Sequence, residues 1–183
     1  MTETRAEQGS QLQIKKATTE DVATVWGIVE ADAKWLANQG LEHWAKYYTE
    51  IMVSKMIHKK EVFLGLKSGK AVGTITYDTK PPKYYDEEGY SKLFSGGEEE
   101  NAAYVTAVAV LPNEQKQGFA GQMLQFAEEE AKQKGTKWMR LDCRAEVPDL
   151  VSFYEKRGYK KLGDKPIDEG EAGTYWLMEK ELV

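Results

Sequence analysis

The chain has 183 residues, of which 41% are hydrophobic and 11% aromatic, so it can bury the core of one domain with at most a short appended segment. Its formal net charge of -5 argues against a non-specific nucleic-acid binder, which would carry a basic surface. One cysteine, Cys143, excludes an internal disulfide framework and fits a reducing, cytoplasmic setting. No apolar run approaches the ~20 residues of a membrane span, and the first ten residues carry no targeting pattern and read as a disordered tail.

Residues 12–18, LQIKKAT, alternate apolar and polar and predict a first strand. Thr18 or Thr19 offers an N-cap, with Glu20 and Asp21 in the first turn of a helix. Val22, Val25, Trp26 and Val29 give that helix an apolar face, which breaks near Asn38-Gln39-Gly40. A second helix is predicted over Glu42 to Ile57. Residues 61–78 read as a hairpin turning at Ser68-Gly69-Lys70. Residues 79–101 form a long loop rich in proline, glycine and acids, with a short helix near Tyr90–Phe94. The acidic run Glu98-Glu99-Glu100 reads as a solvated loop.

AAYVTAVAV, residues 102–110, predicts a buried strand ended by Pro112, and a long helix runs from about Phe119 to Lys134, stopped by Gly135. TKWMRLDCRA is a strand, DLVSFYEKRGY a short helix ending at Gly158, and YKKLGD and GTYWLMEKEL are two closing strands. There is no internal repeat and no interdomain linker.

Between strand 102–110 and the long helix lies QKQGFAGQML, residues 115–124. The first turn of a helix carries backbone N–H groups with no intrahelical partner and the positive end of the dipole. Gly118 and Ala120 leave that backbone uncovered, so a pyrophosphate can reach it, although a glycine turn can also simply start a helix. The spacing fits neither GxxxxGK[ST] nor GxGxxG.

The wider stretch VAVLPNEQKQGFAGQMLQFAEEEAKQKG resembles the central motif of the GNAT family of acyl-CoA-dependent N-acetyltransferases: a strand ending near Val-x-Pro, then Gln/Arg-x-x-Gly-x-Gly/Ala opening a helix. DLVSFYEKRGYKKLG, residues 149–163, is similar to the family's Leu-x-x-Phe-Tyr-x-x-x-Gly-Phe/Tyr segment, and WLANQGLEHW, residues 35–44, to a Trp-Leu…Gly…Gln-Trp segment of bacterial small-molecule members, with His43 in place of the glutamine. The resemblance implies one acetyltransferase domain over residues 11–183. It implies an α/β (α+β) fold with a mixed, mostly antiparallel central sheet and helices on both faces. It implies acetyl-CoA as cosubstrate, held by Gln115, Lys116, Gln117, Gly118, Phe119 and Ala120, with Val108 and Val110 on the strand before them. It implies direct attack of a primary amine, on a small molecule or peptide, with no metal. A backbone N–H near Val108 would serve the oxyanion, and Tyr154 would give a proton to the departing thiolate.

Two departures stand out. Val147 occupies a position where many members carry an asparagine, and the strand before the motif reads Tyr-Val-Thr-Ala-Val-Ala-Val, without the polar residues common near its start. The general base stays open among Asp78, Glu100 and Asp142. Cys143 reads as a buried small hydrophobe rather than a nucleophile. His43 and His58 do not make a metal site; His43, Trp35 and Trp44 are core residues or pocket lining. The alternative function is a non-catalytic acyl-CoA-binding module that keeps the fold. A homodimer paired through sheet edges is compatible with the sequence, and neither nucleic acid nor membrane is expected as a partner.

Overall fold

The computed structural model describes residues 11–87, 89–97, 101–170 and 173–182. Its strands are β1 (Gln13–Lys16), β2 (Glu61–Lys67), β3 (Lys70–Asp78), β4 (Ala102–Val110), β5 (Trp138–Arg144), β6 (Lys160–Lys161), β7 (Ile167–Asp168) and β8 (Thr174–Glu181). Its helices are α1 (Val22–Ala37), α2 (His43–Tyr47), α3 (Glu50–Lys59), α4 (Lys83–Glu87), α5 (Phe119–Gln133) and α6 (Pro148–Glu155). The mixed, mostly antiparallel sheet flanked by helices agrees with the expected architecture. The chain forms two compact units: one takes the chain up to Ile75 together with Val108–Phe126, the other Thr76–Ala107 together with the chain from Ala127 on.

In the first unit the strand order is β1-β2-β3-β4. β2 and β3 meet at Ser68 and Gly69, whose φ angles of +49° and +79° are what a two-residue hairpin turn demands. α1 buries Val25, Ile28, Val29 and Ala33, an apolar stripe at three- and four-residue spacing that also takes in Asp32. The predicted helix over 42–57 is two helices. Thr49 turns extended and its hydroxyl caps α3 by accepting from the Met52 N–H at 3.2 Å, so a side-chain cap interrupts a run whose apolar period reads as continuous.

The first turns of α5 lie close over β2 and β3. A Cβ on Gly65 would stand 3.0 Å from Met123 Sδ and 2.8 Å from Leu12 Cδ1, and one on Gly73 would stand 2.6 Å from Met123 Cε and 3.0 Å from the Ala109 carbonyl oxygen. Glycine at both positions leaves the Met123 side chain its place, and at Gly73 a Cβ would also crowd the Ala109 carbonyl.

In the second unit the order is β3-β4-β5-β8-β6, with β7 also beside β8. β5 and β8 pair antiparallel over their whole common length, from Trp138↔Glu181 to Arg144↔Tyr175. β4 and β5 are parallel, and they pair only from Ala102↔Trp138 to Tyr104↔Arg140 although both strands continue. The segment predicted as a loop holds a helix, α4, and a 3-10 turn at Tyr90–Leu93. Lys83-Tyr84-Tyr85 follows two prolines and has no clear helical period; tertiary packing decides it, because Tyr85 and Phe94 bury into a cluster with Ala102, Tyr104 and Leu177. The run Glu98–Glu100 lies outside the described residues.

Arg140 is the charged group at the centre of this unit, and it is fully buried. Its guanidinium donates to the carbonyls of Ser95 at 2.7 Å and Gly97 at 3.1 Å and to the Tyr104 hydroxyl at 3.0 Å. It sits 4.7 Å from the Phe94 ring centroid, and its Nε lies 3.8 Å from the buried carboxylate of Glu179. Glu179 in turn accepts from the backbone and hydroxyl of Ser95. Residues 95–97 are thereby tied to the sheet.

Candidate active site

The strand-to-helix turn of the first unit has the form an anion requires. Leu111 donates to the Val72 carbonyl at 2.9 Å, and a 3-10 turn at Pro112–Glu114 follows. Lys116 and Gly118 then take left-handed φ angles of +62° and +81°. Alternation of left-handed with ordinary backbone turns successive N–H groups to one concave side, and here it leads directly into the mouth of α5. A Cβ on Gly118 would meet nothing within 4 Å, so φ and not crowding selects glycine there.

The side chains of the turn are drawn aside. Gln115 donates through Nε2 to Asp32 Oδ1 at 3.0 Å and to the Val110 carbonyl at 3.4 Å. Gln117 accepts from Lys67 Nζ at 3.0 Å and donates to Glu114 at 2.9 Å, while Lys67 pairs with Glu114 at 2.8 Å. Phe119 is buried in the core, so only its backbone can meet a ligand. The residues present therefore fit the pyrophosphate of coenzyme A through main-chain N–H groups. Asp32 is the unexpected member: burial pushes its carboxyl up to about 7, against the opposing hydrogen bond from Gln115.

The second unit holds the titratable cluster. Asp142, on β5 two residues beyond the last β4–β5 pair, accepts from Tyr84 at 2.5 Å and Tyr85 at 2.6 Å, both at Oδ1. Burial raises its carboxyl above the ordinary range, and the two phenols pull it back. Tyr90 donates to Glu169, whose charge also raises Asp142. Tyr154 is buried on α6, its ring 5.6 Å from that of Tyr159, and its hydroxyl makes no hydrogen bond among the described residues. Burial holds this phenol protonated, with Cys143 and Asp142 adding to the effect. Tyr159 donates to the buried Glu128 at 2.8 Å, and Lys180 pairs with the same carboxylate.

Of the other candidates, Cys143 is buried with its thiol against Met178 and pushed up to about 12, first by burial, which makes it unreactive at neutral pH. Asp78 accepts from the Lys80 N–H at 3.1 Å at the end of β3, and Glu100 lies outside the described residues. Val147 precedes α6 as its N-cap without a side-chain bond. Trp35 is 38% exposed, whereas Trp44 packs edge-on against Tyr48 at 5.0 Å. His58 caps its own helix through the Ser54 carbonyl. Among the described residues no group of three metal-ligating side chains occurs, and no helix is long and apolar enough to cross a membrane. The sequence reading missed Tyr84 and Tyr85. A repeated tyrosine in a proline-led acidic loop was the available signal.

The short parallel β4–β5 ladder and the left-handed turn at the mouth of α5 agree with the fold that the sequence resembles. The chain belongs to the acetyltransferase (GNAT) family, whose model matches residues 29–159. Acetyl-CoA-dependent acetyl transfer is the general function of that family. The chain is 27% identical to the uncharacterised N-acetyltransferase YesJ of Bacillus subtilis (strain 168) over 170 residues, covering 91% of this chain and 88% of that one. Its fold matches a GNAT acetyltransferase of Listeria monocytogenes 4b F2365 with a TM-score of 0.74 at 21% identity, covering 93% and 94% of the two chains. It also matches the PaiA N-acetyltransferase of Thermoplasma acidophilum, solved with coenzyme A, with a TM-score of 0.60 at 18% identity, covering 93% and 99%.

Proposed function

We propose that the protein is an acetyl-CoA-dependent N-acetyltransferase of the cytoplasm, acting on a primary amine of a small molecule or peptide. The observation that carries this is the β4–β5 ladder that stops after Tyr104↔Arg140, on a strand that leads into the Gly118 turn. A strand edge released from its neighbour offers backbone groups to an extended amide chain such as pantetheine.

Acetyl-CoA supplies the acetyl group as a thioester. The backbone N–H groups from Gln117 to Ala120 bind the pyrophosphate, and Gln115 and Lys116 shape the turn. The N–H near Val108 donates to the carbonyl oxygen as negative charge develops on it. Asp142 takes a proton from the acceptor ammonium, the freed nitrogen forms a bond to the acetyl carbon, the carbon–sulfur bond breaks, the Tyr154 hydroxyl gives its proton to the sulfur, and the second proton of the acylated nitrogen passes to the Tyr154 phenolate and restores it. The Tyr154 phenol carries its proton before the reaction and has no competing hydrogen bond among the described residues, while its burial makes it a weaker acid, so its proton moves as charge builds on the sulfur.

Tyr154→Phe tests the reading. Thiol release from acetyl-CoA across a panel of amines falls about 100-fold, in line with a lost general acid, while acetyl-CoA affinity by calorimetry stays unchanged. Binding with no release on any amine, in wild type and variant alike, would instead identify a non-catalytic acyl-CoA-binding module.

A further inference from the structure

Two phenols meet one carboxylate oxygen in the second unit. Tyr84 and Tyr85, adjacent on α4, both donate to Asp142 Oδ1, at 2.5 and 2.6 Å. These lengths belong to charge-assisted O–H···O⁻ bonds, roughly twice as strong as neutral ones. Neither phenol is on Oδ2. A carboxylate pinned at one oxygen by two donors loses its torsional freedom and keeps its second oxygen in a set direction.

The donors are themselves fixed. Tyr85 is 1% exposed, with its ring 4.9 Å from Tyr84, 5.6 Å from Phe94 and 6.0 Å from Tyr104. Phe94 and Tyr104 both stack on the buried Arg140 guanidinium, which also binds the carbonyls of Ser95 and Gly97. Tyr84 is the outer donor, 44% exposed. The other titratable groups that bear on Asp142 are Glu169, hydrogen-bonded by Tyr90, the neighbouring Cys143, and Tyr154 from α6.

We propose that Tyr84 and Tyr85 are positioning residues: they orient Asp142 and keep it ionised, so that Oδ2 faces the acceptor amine as the proton acceptor of the reaction. This rests on the assignment of Asp142 as the base. The long segment after β3 thereby has a chemical task, delivered by one short helix. Without the phenols, burial acts on Asp142 against a backbone hydrogen bond alone, and the carboxylate protonates at a higher pH. The base is active when deprotonated, so losing them moves the acid limb of the rate profile to higher pH.

The test uses the full chain labelled with [13C]aspartate. The carboxyl resonance of Asp142 is assigned by its loss in Asp142→Asn and followed through pH in Tyr84→Phe, Tyr85→Phe and the double variant. Both substitutions keep the ring, and Tyr84→Phe alters an exposed position, so a folding defect in one leaves the other readable. The titration midpoint moves upward in each single variant and further in the double. In parallel, thiol release from acetyl-CoA with ethanolamine, lysine, spermidine or an alanyl peptide falls about tenfold per phenol at the acid end of the profile, with the KM for acetyl-CoA unchanged. A midpoint unmoved in the double variant overturns the proposal, as does a moved midpoint with an unmoved acid limb. Wild-type thiol release in Asp142→Asn overturns the base assignment itself, which is a separate failure.

Discussion

The two units are built by opposite means. The first clears side chains away: Gln115 and Gln117 are tied down, Phe119 is buried, and what remains at the mouth of α5 is main chain. The second assembles side chains: Asp142, Tyr84, Tyr85 and Tyr154 come from β5, α4 and α6, and Tyr85 packs on Phe94 and Tyr104, which a buried arginine holds. Binding a pyrophosphate needs many equivalent donors, which a backbone supplies. Moving a proton needs particular groups at tuned acidity, which only side chains supply.

This contrast breaks most visibly at Arg140. Arg140→Leu leaves Glu179 buried without its counter-charge and strips donors from the Ser95 and Gly97 carbonyls. We expect a loss of about 3–5 kcal/mol, by denaturant melts; a loss below 1 kcal/mol would show that the second unit does not depend on this side chain.

Asp32 is a buried carboxyl of the first unit, and it sharpens the comparison through pH. Its folded carboxyl titrates at about 7, above the ordinary value of 3.8, so the unfolded chain releases the proton first as pH rises. The associated stability is fully present below the ordinary value and is lost as pH climbs through 7. Asp32→Asn, whose amide oxygen can still accept from Gln115, is then more stable than wild type at pH 8 by up to about 4 kcal/mol, and the gap closes toward pH 4. A gap independent of pH would refute this.

Gly118→Ala probes the backbone. It forces a Cβ onto a φ of +81° and costs about 1–2 kcal/mol, with acetyl-CoA affinity by calorimetry reduced several-fold. Lys67→Ala is the smallest change. Its pair with Glu114 is partly exposed, with side-chain exposures of 32% and 21%, and losing it costs under about 1 kcal/mol. A larger cost than that of Gly118→Ala would reverse the division between backbone and side chain.

The same division explains what was legible beforehand. The turn Gln115–Ala120 and α5 are local: one segment carries the strand, the stop at Pro112, the glycine and the helix, so spacing alone reveals them. β4 is read to its residues, Ala102–Val110, because its apolar run is continuous. The Tyr154 segment is legible as a short motif ending at Gly158. Asp142 could only be placed among three possible bases, because its partners lie 57 and 58 residues away and no periodicity links them. α4 and the two-residue strand β7 escape reading for a related reason, and β6 is read as a longer strand, YKKLGD, than the two residues that pair. They are too short to show a period and are held by packing or by pairing with β8. The break between α2 and α3 lies in one capping threonine inside an unbroken apolar pattern.

Gly65 and Gly73 work as a shim. By withholding two methyl groups where Met123 comes down, they leave its side chain room between α5 and the strands. On the proposed assignment, the seat of a phosphate at the head of that helix would owe part of its shape to two strand positions beneath it.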